Sequence, residues 1–344
     1  MRRAIRGSVI AALLCIWAVA SYAQDGLKFV ELGDFPLESG NVIRGLRLAY
    51  RTLGTLNADK SNAILFPTWL AGTTAELIES GFIGPGKLAD IDKYFVIAID
   101  AFGNGISSSP SNSRLQPDKS FPNFTIRDMV KAQHILLTEH LHLSSLHAVI
   151  GISMGAMQVF QWMVSYPTFI ANAISISGTP KLTSYDLLVW WAELGVIDTL
   201  KDLGHGCGRA MKATAVIHTL LLRTPDYYAT QLNQSGFTQF LADSQKALMK
   251  YNPYDWALQL QAMIDHNIYK TYGDSPENAA GVIKARVLIV TSLHDNVVYP
   301  GPARELAGVL KAEIVELTGN CGHLAFLCEK EALHDAVSRF LNNK

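Results

Sequence analysis

Ser153 lies at the centre of a G-x-S-x-G segment that begins at Gly151 and ends at Gly155. The apolar run 146–150 precedes this segment, and a helix-like run, 156–164, follows it. Because glycine has no Cβ, the two glycines let a crowded strand-to-helix turn form while the serine hydroxyl projects from the end of the strand. An ordinary strand–helix turn would fit the same letters, but this position in the chain favours a nucleophilic serine.

A serine hydroxyl needs a base to take its proton, and the base needs a carboxylate to orient it. Asp295 follows the apolar run 287–290, and His323 lies in a glycine-rich loop after the strand-like run 312–317. This order, serine then aspartate then histidine, predicts a catalytic triad. Two alternatives stay open: Asp295 as an aspartate of a surface turn, and His294 as a rival base.

The tetrahedral intermediate of acyl transfer also needs N–H donors for its oxyanion. The backbone N–H of Met154, the residue after the nucleophile, is one candidate. The other donor is expected from the loop 68–73, after an early apolar strand, and its position favours the N–H of Leu70.

Short apolar runs alternate with helical patterns from about residue 28, as in a sheet buried on both faces. We therefore predict an α/β fold with a mostly parallel, doubly wound sheet; its strand-like runs are 46–52, 63–66, 95–99, 147–150, 173–176, 287–290 and 312–317. The interval 181–284 shows helical patterns and no clear buried strand, which indicates an inserted helical lid. Aromatic side chains of the lid are candidates to line a substrate pocket: Trp190, Trp191, Tyr227, Tyr228, Tyr251, Tyr254 and Trp256.

The first residues have the pattern of an export signal. Arginines at positions 2, 3 and 6 precede the apolar stretch 9–20, and small residues lead to an expected cleavage after Ala23. The stretch is too short for a comfortable membrane span. We therefore expect a signal peptide over 1–23 and a secreted or periplasmic protein without stable membrane insertion.

The 344 residues carry a formal net charge of -1 and no long basic run, which argues against nucleic-acid binding. Beyond the expected signal, the cysteines are Cys207, Cys321 and Cys328. Cys321 and Cys328 are the nearest pair, and their spacing leaves a disulfide and buried thiols equally open. The cysteine spacing does not match a zinc site. The expected chemistry requires no metal or organic cofactor.

Several segments in the same order resemble the homoserine O-acetyltransferase family of the α/β-hydrolase superfamily: GTLNA at 54–58 with SNA at 61–63, IGPGK at 83–87, DKYFVI at 92–97, TIRDMV at 125–130 with AQ at 132–133, and GISMGAMQ at 151–158. Weaker matches follow at 251–255 and 322–327. The resemblance implies the same triad, the same second oxyanion donor and a helical lid over a tunnel. It also implies a homodimer, which many members form through the lid.

Three departures from that family bear on function. Where the acetyltransferases have an aspartate that contacts the acceptor's amino group, this chain has Leu324. No arginine-bearing lid segment matches between residues 179 and 206. Asp295 also stands one residue further from Pro300 than the family pattern suggests.

These observations lead to three hypotheses. The favoured one is a secreted serine hydrolase that cleaves a small-molecule ester, or an amide, through an acyl-enzyme on Ser153. The second is an acyltransferase in which an alcohol replaces water, and the third is a non-catalytic binding protein on the same scaffold. The expected division is a core of residues 24–180 and 285–344 with the lid, 181–284, inserted between its two parts.

Overall fold

The computed structural model describes residues 26–201 and 207–342. The expected signal peptide, 1–23, lies outside the described residues. The strands are β1 Lys28–Pro36, β2 Val42–Leu53, β3 Ala63–Pro67, β4 Ile83–Gly84, β5 Ala89–Asp90, β6 Phe95–Ile99, β7 Leu146–Ile152, β8 Ile170–Ile176, β9 Arg286–Ser292 and β10 Glu313–Leu317.

Eight of these strands form one sheet in the order β1-β2-β6-β3-β7-β8-β9-β10, and β4 pairs separately with β5. Strands β6, β3, β7, β8, β9 and β10 pair in parallel, in that order. At one edge, β2 pairs antiparallel with β6, and β1 pairs antiparallel with β2. Strands β3, β7 and β9 are almost entirely buried, as their continuous apolar runs predict. The predicted α/β fold class is confirmed. Strand β1 was not predicted.

The helices are α1 Thr74–Glu79, α2 Ile126–Ile135, α3 Met154–Ser165, α4 Ser184–Leu200, α5 Cys207–Leu222, α6 Pro225–Gln231, α7 Phe237–Leu248, α8 Pro253–Ile264, α9 Pro276–Val282, α10 Gly301–Leu310, α11 Ala325–Cys328 and α12 Lys330–Asn342. Two large apolar clusters fill the space between the sheet and its helices, one on each face. Helix α3, which follows the serine, is buried along nearly its whole length, so it is fixed against the sheet.

Helices α4 to α9 lie between β8 and β9 in the chain, over the interval 181–284 in which we expect a lid. Within its described part, this interval contains no strand, only an isolated bridge between Lys181 and Asn267. Helices α4, α5, α7 and α8 contact one another, so they form a layer of their own. No helix within 26–201 and 207–342 has the length and apolar character needed to cross a bilayer.

Candidate active site

Ser153 occupies a strained turn between β7 and α3. Its φ of 57° and ψ of -122° are unusual for a residue with a side chain. A Cβ on Gly151 would lie 2.2 Å from the Gly155 carbonyl oxygen, and a Cβ on Gly155 would lie 2.6 Å from that of Pro67. Only glycine therefore fits at either position, and the turn presents the serine at the end of the strand.

The structure brings the three predicted triad residues together. His323 Nε2 lies 3.0 Å from Ser153 Oγ, and His323 Nδ1 lies 2.7 Å from Asp295 Oδ2. All three side chains are buried. His294, the rival base, is exposed to solvent. A carboxylate that accepts from Nδ1–H leaves the Nε2 lone pair directed at the hydroxyl, the arrangement that a general base requires.

Asp295 is held by its own loop. Its Oδ1 accepts hydrogen bonds from the backbone N–H groups of Val297 and Val298, at 2.8 and 2.9 Å, which leaves Oδ2 for the histidine. The same loop is tied to the lid, because the N–H of Tyr299 donates to Asp186 Oδ1 at 2.7 Å. Burial, and the negative charge of Asp295, raise the pKa of the Asp186 carboxyl. The added residue before Pro300 therefore does not prevent Asp295 from reaching His323.

The loop that carries His323 is closed by a disulfide. Cys321 and Cys328 are linked across the 3₁₀ turn and the short helix that follow β10. Gly322, with φ of 62°, packs closely on Arg223: a Cβ added to Gly322 would lie 2.9 Å from the Cα of Arg223. The Gly322 carbonyl also accepts a 2.7 Å hydrogen bond from Ser292 Oγ. The histidine thus stands on a loop restrained covalently and by packing.

The predicted oxyanion donors lie on the elements that flank the serine. Met154 is the first residue of α3, and Leu70 lies in the loop after β3. Within the described residues, neither backbone N–H makes a hydrogen bond, so both remain able to donate to a substrate oxygen.

Two buried glutamines support the loop after β3, and no role was predicted for either from the sequence. Gln158 of α3 donates to the Thr68 carbonyl at 3.1 Å. Gln259 of α8 accepts from the N–H of Ala71 at 2.6 Å and donates to the Phe102 carbonyl at 2.6 Å. Ala71 has a φ of 54°, which costs energy in a residue with a Cβ. The lid therefore helps to hold the residue next to Leu70.

A cavity of about 260 Å³ opens over Ser153 and His323. Its lining is mostly apolar and aromatic; it comprises Trp69, Leu70, Ser80, Ser153, Trp190, His218, Leu222, Leu248, Tyr251, Trp256, Val297, His323, Leu324, Phe326 and Leu327. Of the seven lid aromatics proposed for the pocket, three line this cavity: Trp190, Tyr251 and Trp256. Trp191 is exposed instead, because it lies on the outer face of α4.

The lid also contributes a polar pair that sequence analysis did not assign to the site. His218 of α5 lines the cavity, and its Nδ1 lies 2.9 Å from Glu193 Oε1 of α4. Glu193 Oε2 accepts from the indole N–H of Trp256 at 3.1 Å. No local motif marks this arrangement, because three different helices supply its members.

The arrangement can perform nucleophilic acyl transfer. Among the described residues, no group of three or more histidine, cysteine, aspartate or glutamate side chains could hold a metal ion. The fold, the strained serine turn and the serine–histidine–aspartate contacts together define an enzyme class, the α/β hydrolases.

Comparisons with known proteins agree with that class. A family model described as the alpha/beta hydrolase fold matches residues 64–195. An ethyl acetate hydrolase of Pseudomonas veronii is 33% identical over 281 residues, which cover 78% of this chain and 80% of that protein. A homoserine O-acetyltransferase of Methanosalsum zhilinae is 31% identical over 355 aligned positions, which cover 90% of this chain and 71% of that protein.

Solved structures extend the likeness over the whole fold. An acetylester hydrolase from Corynebacterium glutamicum superimposes with a TM-score of 0.85 at 26% identity, covering 94% of this chain and 97% of that one. The acetyl esterase MekB gives a TM-score of 0.85 at 29% identity, covering 92% and 95%. The chain belongs to the homoserine O-acetyltransferase-like family of the α/β-hydrolase superfamily, and it is an ester hydrolase or an acyltransferase.

Proposed function

We propose that this protein is a serine hydrolase that cleaves small acyl esters. Ser153 Oγ attacks the ester carbonyl while His323 Nε2 takes the hydroxyl proton, and the N–H groups of Leu70 and Met154 bind the oxyanion. The intermediate collapses to an acyl-enzyme, and His323 returns the proton to the departing alcohol. Water then attacks by the same route, with His323 again as the base and Asp295 holding its ring, and releases the acid.

One observation carries this proposal: a serine, an imidazole and a carboxylate in hydrogen-bond contact beneath a small, mostly apolar cavity. The cavity lies just below the range of about 300–1,000 Å³ that is typical of sites for drug-sized ligands, which favours a small substrate. The names of the relatives, an ethyl acetate hydrolase and an acetylester hydrolase, favour a short acyl group.

The alternative proposal is transfer of the acyl group to an alcohol, and the homoserine O-acetyltransferase relative supports it. The lining of the cavity favours water over an amino alcohol as the acceptor of the acyl group. Leu324 lines the pocket next to the base, and an amino group placed against that side chain would lack a counter-charge. For this reason we place hydrolysis first.

The test uses the purified protein with 4-nitrophenyl acetate and butyrate. We expect Ser153→Ala and His323→Ala each to lower kcat by about 10⁴-fold or more. His294→Ala is the matched control, since this histidine is exposed, and it should retain full activity. Equal rates for the wild type and Ser153→Ala would overturn the proposal.

The acceptor is tested separately. With 1-propanol added, a hydrolase should still form free acetate as its main product, whereas a transferase should divert most of the acyl group to propyl acetate. Covalent labelling of Ser153 by a fluorophosphonate should disappear in His323→Ala. Labelling that persists would mean that His323 is not the base.

We further propose that the protein is exported. The signal pattern over 1–23 and the Cys321–Cys328 link both support an oxidising compartment. N-terminal sequencing of the protein recovered from periplasm or medium should begin at Gln24. A protein found only in the cytoplasm with its first residues intact would contradict this.

A homodimer through the lid is also proposed. Large apolar side chains are exposed on one helix at Leu188 and Trp191 and on the next at Val216 and Leu220. Burial of such side chains would stabilise the association of two lids. Light scattering should give twice the mass of one chain for the wild type. The double variant Trp191→Ser/Leu220→Ser should give the mass of a single chain. A monomeric wild type would refute the proposal.

A further inference from the structure

The lid places a second carboxylate–imidazole pair against the cavity that holds the triad. Glu193 is fully buried, and its two oxygens are occupied by His218 Nδ1 and by the indole N–H of Trp256. The ring of Trp256 also packs edge-on against the imidazole, with centroids 5.1 Å apart. Three lid helices, α4, α5 and α8, therefore fix the position and the orientation of the His218 ring.

The hydrogen-bond pattern determines what His218 presents to the cavity. A carboxylate only accepts hydrogen bonds, so Nδ1 carries the proton in its contact with Glu193. Nε2 makes no hydrogen bond within residues 26–201 and 207–342, and it is not among the buried polar atoms that lack a partner. The His218 side chain keeps 15% of its surface exposed. Nε2 is consequently open to the cavity, where most neighbours are apolar.

We propose that His218 Nε2 binds a hydroxyl group of the substrate and so selects hydroxyl-bearing small esters over plain alkyl esters. A hydroxyl pairs with Nε2 in either charge state of the ring, because it donates to neutral imidazole and accepts from imidazolium. His218 is thus a specificity-determining residue, separate from the triad. The inference rests on the proposed ester chemistry at Ser153, since it names the class of ester that this site takes.

The alternative is a purely structural role, in which the pair only ties α4, α5 and α8 together. The two roles differ in one measurable quantity. A structural defect lowers activity toward all esters alike, whereas a lost hydrogen bond lowers it only toward the substrate that carries the hydroxyl.

The experiment compares esters that differ by one methyl-to-hydroxyl exchange. On the alcohol side the pair is propyl acetate and 2-hydroxyethyl acetate; on the acyl side it is methyl butanoate and methyl 3-hydroxypropanoate. For at least one pair, the preference for the hydroxyl ester, measured as a ratio of kcat/KM values, should fall about tenfold from the wild type to His218→Phe. Because both enzymes meet the same two substrates in water, the hydration of the substrates cancels in this comparison.

Further variants sharpen the result. His218→Gln retains a side chain that donates and accepts, and it should recover part of the preference. Lys212→Ala, an exposed change on the same helix, should leave the ratio at the wild-type value. Ratios that are the same in the wild type and His218→Phe, for both pairs, would overturn the inference.

A binding measurement separates this inference from the proposed function. In Ser153→Ala protein, ligand-observed NMR gives the dissociation constants of the hydroxyl ester and of its alkyl partner, and the added change His218→Phe should shift their ratio about tenfold against the hydroxyl ester for at least one pair. Hydrolysis that does not depend on Ser153 would refute the proposed function, while the shift of this binding ratio would still decide the role of His218. A ratio that His218→Phe leaves unchanged in both pairs would refute the role of His218 alone.

Discussion

Gln259 should affect catalysis without touching the substrate, and the change Gln259→Leu tests this. Its side chain is fully buried in α8 and bridges the N–H of Ala71 to the carbonyl of Phe102. Ala71 adjoins Leu70, the proposed oxyanion donor, and has a φ of 54°. We expect kcat to fall about 10- to 100-fold in Gln259→Leu, with KM nearly unchanged.

The expected loss of kcat follows from the first two of the quantities below, and the third sets the expected loss of stability. Complete loss of one oxyanion donor costs about 100- to 1,000-fold in kcat. Gln259→Leu does not delete the donor; it frees the neighbouring residue from a conformation that costs about 1–3 kcal/mol to hold, so the loop relaxes and Leu70 points less accurately. The change also leaves a buried N–H and a buried carbonyl unpaired, at about 1–3 kcal/mol each in the free energy of unfolding.

The assay must separate misaligned catalysis from lost stability. Gln161→Leu is a matched control, because Gln161 is also buried, lies on α3 and, among the residues that the structure describes, donates only to Ser165 Oγ, at 2.7 Å. We would measure kcat and KM with 4-nitrophenyl acetate well below the melting temperature of both variants. An equal kcat loss in the two variants, or a wild-type kcat in Gln259→Leu, would refute the positioning role.

Three further changes have defined outcomes. Burial raises the pKa of Asp255 to about 6. Its anion therefore costs about 3 kcal/mol well above pH 6, and because the unfolded carboxyl is still partly ionised at pH 4, urea unfolding should show the wild type gaining about 2 kcal/mol relative to Asp255→Asn between pH 7 and 4. Replacing Cys321 and Cys328 by serine should lower the unfolding free energy by about 2–3 kcal/mol, by the entropy of the short loop they close, and reduce kcat because His323 shares that loop. Gly155→Ala should abolish activity because its Cβ has no space, whereas Gly308→Ala, at an open position of α10, should raise the melting temperature.

Each of these outcomes has a direct contradiction. A stability difference between the wild type and Asp255→Asn that does not change with pH would mean that the carboxyl ionises normally. Unchanged kcat in the doubly substituted cysteine variant would show that the disulfide does not position His323. An active, stable Gly155→Ala protein would mean that the contact with the Pro67 carbonyl can relax.

The sheet and the triad positions were predictable because their signals are local. A strand buried on both faces is a short apolar run, and the turns at its carboxyl end carry the functional residues, so Ser153 and Asp295 could be found without knowing the tertiary structure. Strand β1 was missed because much of it faces solvent, and its pattern is correspondingly weak. Among lid aromatics, composition does not tell which face of a helix is buried; Trp190 lines the cavity, whereas its neighbour Trp191 lies outside.

The polar groups of the lid could not be predicted for a different reason. Gln259 and Glu193 act through partners far away in the chain, 188 residues away at Ala71 and 63 residues away at Trp256, and no spacing rule connects such pairs. Burying the Glu193 charge costs free energy that an apolar cluster of the same volume would avoid, so stability alone is a weak reason for the pair with His218. A pocket that must recognise one hydroxyl among apolar contacts does require such a fixed polar group. The lid helices therefore supply both the support of the oxyanion loop and the polar contact that we propose for selectivity.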